Sequence, residues 1–155
     1  NFGGFGQQGY GYNVEDLYNE IGNILGLTNS FKTIIIGAGN LGQALANYNF
    51  SSHGFILEGM FDINPKLTGL RIRDIEIKDM DLLQQVVIDK EVDIAFICTN
   101  KDAAQGVADK LVEAGIKAIW NFAPIDLKID NPDIVVENVH LIDSLLTLSY
   151  FLKEH

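Results

Sequence analysis

Cysteine is nearly absent: Cys98 is the only one in 155 residues. No internal disulfide is therefore possible, and a reducing, cytoplasmic setting is expected. Cys98 follows the apolar stretch Ile94-Ala95-Phe96-Ile97, where a small buried core residue is expected rather than a reactive thiol. No apolar run approaches the roughly 20 residues that a membrane-spanning helix needs, so no membrane partner is expected. No basic-then-apolar signal segment opens the chain. Positive charge is also scarce. Lys and Arg number 11 against 21 Asp and Glu, a formal net charge of −10. A balance of this sign argues against the segment itself holding nucleic acid, whose affinity rests on Lys and Arg neutralising phosphates. With 3 His and a single Cys, a metal-ligand cluster of these residues is missing as well. The chain begins with Asn1 rather than Met, and a piece of a longer protein is expected.

Apolar residues make up 47% and charged ones 21%, the balance of an ordinary single globular domain. The strongest local pattern is Gly37-Ala38-Gly39-Asn40-Leu41-Gly42, directly after Thr33-Ile34-Ile35-Ile36. Consecutive isoleucines read as a parallel strand buried on both faces. The G-x-G-x-x-G spacing gives each glycine its own task. Gly37 permits a tight strand-to-helix turn, Gly39 lets the backbone approach a pyrophosphate, and Gly42 lets the following helix pack close to the sheet. The phosphates would sit on free N–H groups at the positive end of the helix dipole. A second apolar run, 55–61, ends at Asp62, where a dinucleotide fold places the carboxylate that accepts the adenosine ribose hydroxyls. Asp62-Ile63-Asn64-Pro65 is equally good turn chemistry. A carboxylate here repels a 2′-phosphate and favours NAD over NADP.

Residues 1–12 carry five glycines without a period and read as a connector or the tail of a preceding element. Asn13 caps a helix over 14–25, with Leu17, Ile21, Ile24 and Leu25 at helical spacing and Gly26 ending it. A weak strand or edge hairpin is expected over 70–77, then a helix capped by Asp79. A strand at 92–98, a helix at 102–114 ended by Gly115, a strand at 116–121 and a strand at 134–136 follow. Strands alternating with helices predict an α/β doubly wound parallel sheet with right-handed crossovers. A final helix starts near Leu141. Its Leu141, Leu145, Leu148 and Leu152 form one stripe, and Ile142, Leu146, Tyr150 and Phe151 cover much of the rest. A helix apolar nearly all round must be buried nearly all round. One face is expected on the chain's own sheet and the other on a second subunit, with a C2 homodimer as the default.

Catalytic equipment is thin. A dehydrogenase needs a proton donor or acceptor beside the hydride site. His53 lies in a loop, His155 is the last residue, and His140 heads the final helix. Tyr150 and Lys153 stand far from any strand end. The chain therefore reads as a dinucleotide binder and not an enzyme. Ligands of such sheets bind beyond the carboxyl ends of the strands, so the rim also includes Thr99 and Asn121. Thr99 offers a hydroxyl to a ribose or phosphate, or else a helix cap, and Asn121 is equally ambiguous.

Several stretches resemble the Rex family of redox-sensing transcriptional repressors: Gly9-Tyr10-Gly11-Tyr12-Asn13-Val14, the glycine loop, Phe61-Asp62, Ala103-Ala104-Gln105 with Val107-Ala108-Asp109, and Val136-Glu137-Asn138-Val139. The most specific is Ala114-Gly115-Ile116-Lys117-Ala118-Ile119-Trp120-Asn121-Phe122-Ala123-Pro124. The resemblance implies homodimers with an N-terminal winged-helix DNA-binding domain and a Rossmann domain that binds NAD(H). NADH binding would lower operator affinity. Residues 1–12 would be the junction to a winged-helix domain not included here, 13–139 the Rossmann domain, and 140–155 a helix swapped onto the partner. Carried over by position, Gly37, Ala38, Gly39, Asn40, Leu41, Gly42 and Asp62 would hold the adenosine and pyrophosphate. Tyr48 would lie near the nicotinamide, with Thr99 beside its ribose. Asn100-Lys101 and His140 depart from the family's usual residues, Val-Pro and Asp. Apart from the resemblance, an NAD-dependent oxidoreductase, or a CoA- or nucleotide-binding subunit whose partner domain supplies catalysis, is the alternative.

Overall fold

The computed structural model describes residues 30–154. The connector 1–12 and the expected helix 14–25 lie outside them. The chain alternates strand and helix as the sequence predicts: β1 (Phe31–Ile36), α1 (Asn40–Asn47), a short 3-10 helix (Phe50–His53), β2 (Phe55–Asp62), β3 (Arg71–Ile72), β4 (Ile75–Asp79), α2 (Leu83–Asp89), β5 (Ile94–Ile97), α3 (Lys101–Glu113), β6 (Ala118–Asn121), β7 (Val135–Asn138) and α4 (Leu141–Glu154). The strands form one sheet in the order β3-β4-β2-β1-β5-β6-β7. Every pairing is parallel except the β3–β4 hairpin at the edge. The order runs one way from β1 through β2 and the other way through β5, so the switch point lies between β1 and β5.

Alternation along the central strands divides the core between two faces. Ile34, Ile36, Phe61, Ala95 and Ile97 pack with Leu83 and Val87 of α2 and with Ala104, Val107, Ala108 and Leu111 of α3. Ile35, Met60 and Phe96 point the other way, towards Ala38, Ala46 and Phe50. This two-sided burial is why β1 reads as an unbroken apolar run.

The expected elements are present, with their ends moved by a residue or two. Gly115, at φ +91°, ends α3. Its N–H donates to the Val112 carbonyl, while that of Ile116 donates to the Leu111 carbonyl. Those helix-closing bonds delay β6 to Ala118. Asp79 accepts the Asp81 N–H at 2.9 Å, capping the turn that leads into α2.

The last helix differs from expectation. None of its large apolar side chains rests on the chain's own sheet: exposure runs from 54% at Leu141 to 70% at Leu152. One face of the sheet is covered by α2 and α3, with Leu127 and Ile129 packed against that core. Among the described residues no helix is long and apolar enough to cross a membrane.

Candidate functional site

The glycine loop is fixed by sterics. Gly37 has φ +105°, and a Cβ there would lie 2.7 Å from the Cys98 carbonyl carbon and oxygen. Only glycine meets both conditions. At Gly42 an added Cβ would fall 1.8 Å from the Gly37 carbonyl oxygen. Gly39 is different, since nothing lies within 4 Å of its missing Cβ. It sits at the N-cap of α1, and no side chain caps that helix end. The first helical bond runs from the Gln43 N–H to the Gly39 carbonyl at 2.9 Å. The N–H groups of Asn40, Leu41 and Gly42 thus precede any intrahelical acceptor. An open approach at Gly39 beside uncapped N–H donors suits a pyrophosphate.

Asp62 makes the expected turn and also holds the glycine loop. One carboxylate oxygen accepts the Ala38 N–H at 2.7 Å and so ties the end of β2 to the glycine loop. The other accepts the Asn64 N–H at 2.7 Å, forming the turn. Each oxygen keeps a lone pair for a further donor such as a ribose hydroxyl. Gly37, Gly39, Asp62 and Thr99 line one cleft of about 180 Å³, together with Ile63, Met80, Asn100 and Ala103. That volume takes the ribose–pyrophosphate part of a dinucleotide rather than the whole.

Thr99 donates its hydroxyl to the Asn100 carbonyl at 3.0 Å. The cap of α3 is Asn100, whose side chain accepts the Ala103 N–H at 2.9 Å. The helix-cap alternative expected of Thr99 thus falls to Asn100, a residue type that favours this position. Met80 and Ala103 carried no such signal, being single apolar positions brought in by folding. Cys98 backs the loop, and burial pushes its thiol up to about 12, so it stays protonated and unreactive.

Two expected site residues do not line this cleft. The helix after a glycine loop runs back along the sheet, so its C-terminal end reaches the opposite rim. Tyr48 caps that end. Its ring lies 4.6 Å from that of Phe50, and it lines a separate hollow with Thr33, Phe55 and Arg73. Asn121 is fully buried. Its Nδ2 donates to the Ala123 and Ile125 carbonyls at 3.3 and 2.7 Å and to Asn138 Oδ1 at 2.9 Å. Its Oδ1 accepts the Ala123 N–H at 3.0 Å. The carboxamide organises the loop after β6, and its Nδ2 donors are all engaged there. His140 lies 3.4 Å from Asp126 and 3.5 Å from Asp143, an exposed group at the root of α4.

A family model described as a CoA binding domain matches residues 28–125. The redox-sensing transcriptional repressor Rex of Caldanaerobacter subterraneus subsp. tengcongensis is 61% identical over 99% of this chain and 69% of its own length. Among solved structures, RSP in complex with β-NAD⁺ and operator DNA is 58% identical with a TM-score of 0.82, over 92% of this chain and 66% of that one. RSP in complex with β-NADH gives 58% and 0.81, over 93% of this chain and 70% of that one. The chain thus spans about two thirds of the length of these relatives. With this identity over nearly its full extent, the chain belongs to the Rex family of redox-sensing transcriptional repressors.

Proposed function

We propose that this chain is the NAD(H)-sensing and dimerising part of a redox-responsive repressor whose operator affinity falls when NADH binds. The observation that carries the reading is the cleft in which Asp62 holds the Ala38 N–H beside the open Gly39 approach. The related RSP has been solved with β-NADH and with β-NAD⁺ and operator DNA. Gly37, Ala38, Gly39, Asn40, Leu41, Gly42, Asp62 and Thr99 form the ligand-facing set, without Tyr48 and Asn121. DNA is read by a domain preceding residue 13, and two copies of the chain associate through α4 in the cytoplasm. The role is ligand-controlled repression rather than turnover.

NADH, NAD⁺ and NADPH titrated against the intact protein on operator DNA test the reading. Operator affinity is expected to fall at least tenfold as NADH replaces NAD⁺, with NADPH ineffective because Asp62 repels its 2′-phosphate. Equal operator affinity at every NADH/NAD⁺ ratio overturns it, since a ligand shifts an equilibrium only through differential binding. The CoA binding description of the family model supplies a second reading. CoA binding tighter than NADH would favour that reading, although the 3′-phosphate of CoA meets the same carboxylate.

A further inference from the structure

The rim at β6 and the root of α4 share one buried joint. In the strand ladder Asn121 stands opposite Asn138, and the two side chains are bonded at 2.9 Å. From Asn121 the same carboxamide holds the turn after β6 through Ala123 and Ile125. Its backbone carbonyl accepts the Val139 N–H at 2.8 Å, one residue before His140. Phe122 and Pro124 on one side, and Val139, Leu141 and Ile142 on the other, wall a hollow of about 570 Å³. In the sheet order, β6 lies three strands from β2, about 14 Å at ordinary strand spacing. A dinucleotide anchored by its adenosine at Asp62 and extended over the switch point therefore ends near the turn after β6.

We propose that the Asn121–Asn138 pair is the positioning element that couples the far end of the bound dinucleotide to the direction in which α4 leaves the domain. The inference rests on the NAD(H) reading above. Neither residue touches the ligand. Asn121 fixes the turn that the ligand meets, and Asn138 carries that turn's position to the chain segment from which α4 starts. A buried carboxamide bonded to both segments suits the task, because moving either segment breaks one of its hydrogen bonds.

The test is methyl NMR of the Ile142 side chain, with NADH as the probe and affinity measured in parallel. In the unaltered protein, saturating NADH is expected to shift the Ile142 signal. Asn138→Ala leaves Asn121 its two carbonyl acceptors and leaves the strand ladder intact. It should bind NADH within threefold of the unaltered protein while the Ile142 shift falls below a third. Asn138→Asp keeps an accepting oxygen for Asn121 and should restore at least two thirds of the shift. A full Ile142 shift in Asn138→Ala, with or without a lower melting temperature, makes the pair merely structural and overturns the proposal. So does an Ile142 signal that stays put in the unaltered protein when NADH is bound. Failure of the unaltered protein to bind NADH is a separate result, which overturns the NAD(H) reading and this inference with it.

Discussion

Gly39 and Gly42 are three residues apart in one motif, yet a methyl group at each meets a different obstacle. At Gly42 it collides with the Gly37 carbonyl, 1.8 Å away, so the helix must lift from the loop. At Gly39 it enters open space. Gly42→Ala is therefore expected to cost roughly 3 kcal/mol of stability, the upper end of the overpacking range. Gly39→Ala should cost only about 1 kcal/mol, as a poorer N-cap, yet weaken NADH at least tenfold by occupying the pyrophosphate approach. Denaturant unfolding and NADH fluorescence titration on both variants separate the two effects. Wild-type NADH affinity in Gly39→Ala would show that the open space is not the approach. The tasks of Gly37 and Gly42 were legible from spacing alone, because the positive φ of Gly37 and the close approach of Gly42 to the Gly37 carbonyl belong to the motif's own turn. Tyr48 lines a different hollow. An eight-residue helix spans about 12 Å, enough to carry its end from the ligand rim to the far rim, and positional matching ignores that length. Asn121 is absent from the cleft wall for another reason. Its position on the rim was legible, but the four bonds that occupy its carboxamide come from residues up to 17 positions away.

Among the elements, α4 carries the clearest consequence. Its existence and all-round apolar character were plain from Leu141 to Leu152, but its lack of a seat on its own sheet was not. Whether α2, α3 and the 127–129 segment leave room depends on the sheet order, which no local pattern encodes. The same dependence explains the strand ends: β5 occupies Ile94–Ile97 rather than 92–98, since the Val92 N–H is taken by the Val87 carbonyl and closes α2. With eight large apolar side chains at least 54% exposed, α4 needs a cover, and the homodimer proposed above would supply it, each copy offering the same surface by symmetry. Burying one leucine is worth about 2 kcal/mol. A C2 interface counts every substitution twice, so Leu145→Glu is expected to weaken the dimer close to a thousandfold, about 4 kcal/mol. Sedimentation equilibrium reads this directly. The isolated chain should unfold as before, because Leu145 is already 56% exposed there. A dimer unchanged by the substitution would place the interface elsewhere.

For the whole molecule, the cleft at the switch point and the chain's charge combine into a further expectation. Two halves of a doubly wound sheet splay their loops apart between β1 and β5, and this opening is where ligands of such folds bind. Among the described residues, the walls of the cleft include no Lys or Arg; the positive character comes from backbone N–H groups at the start of α1. The protein around it carries a net charge of −10. A pyrophosphate held by Lys or Arg loses affinity as salt screens the attraction. Here the proposed contacts are short-range N–H hydrogen bonds, which salt screens little, while the long-range term between an acidic chain and an anionic ligand is repulsive. Raising NaCl from 50 to 500 mM shortens the Debye length from about 14 to about 4 Å and removes mainly that repulsion. NADH affinity is therefore expected to stay constant or to tighten by up to about threefold across this range, measured by fluorescence titration at fixed pH. Weakening by more than threefold would mean that a basic side chain from outside the described residues, or from the second copy, closes on the phosphates. The site would then be built by assembly rather than by the glycine loop alone.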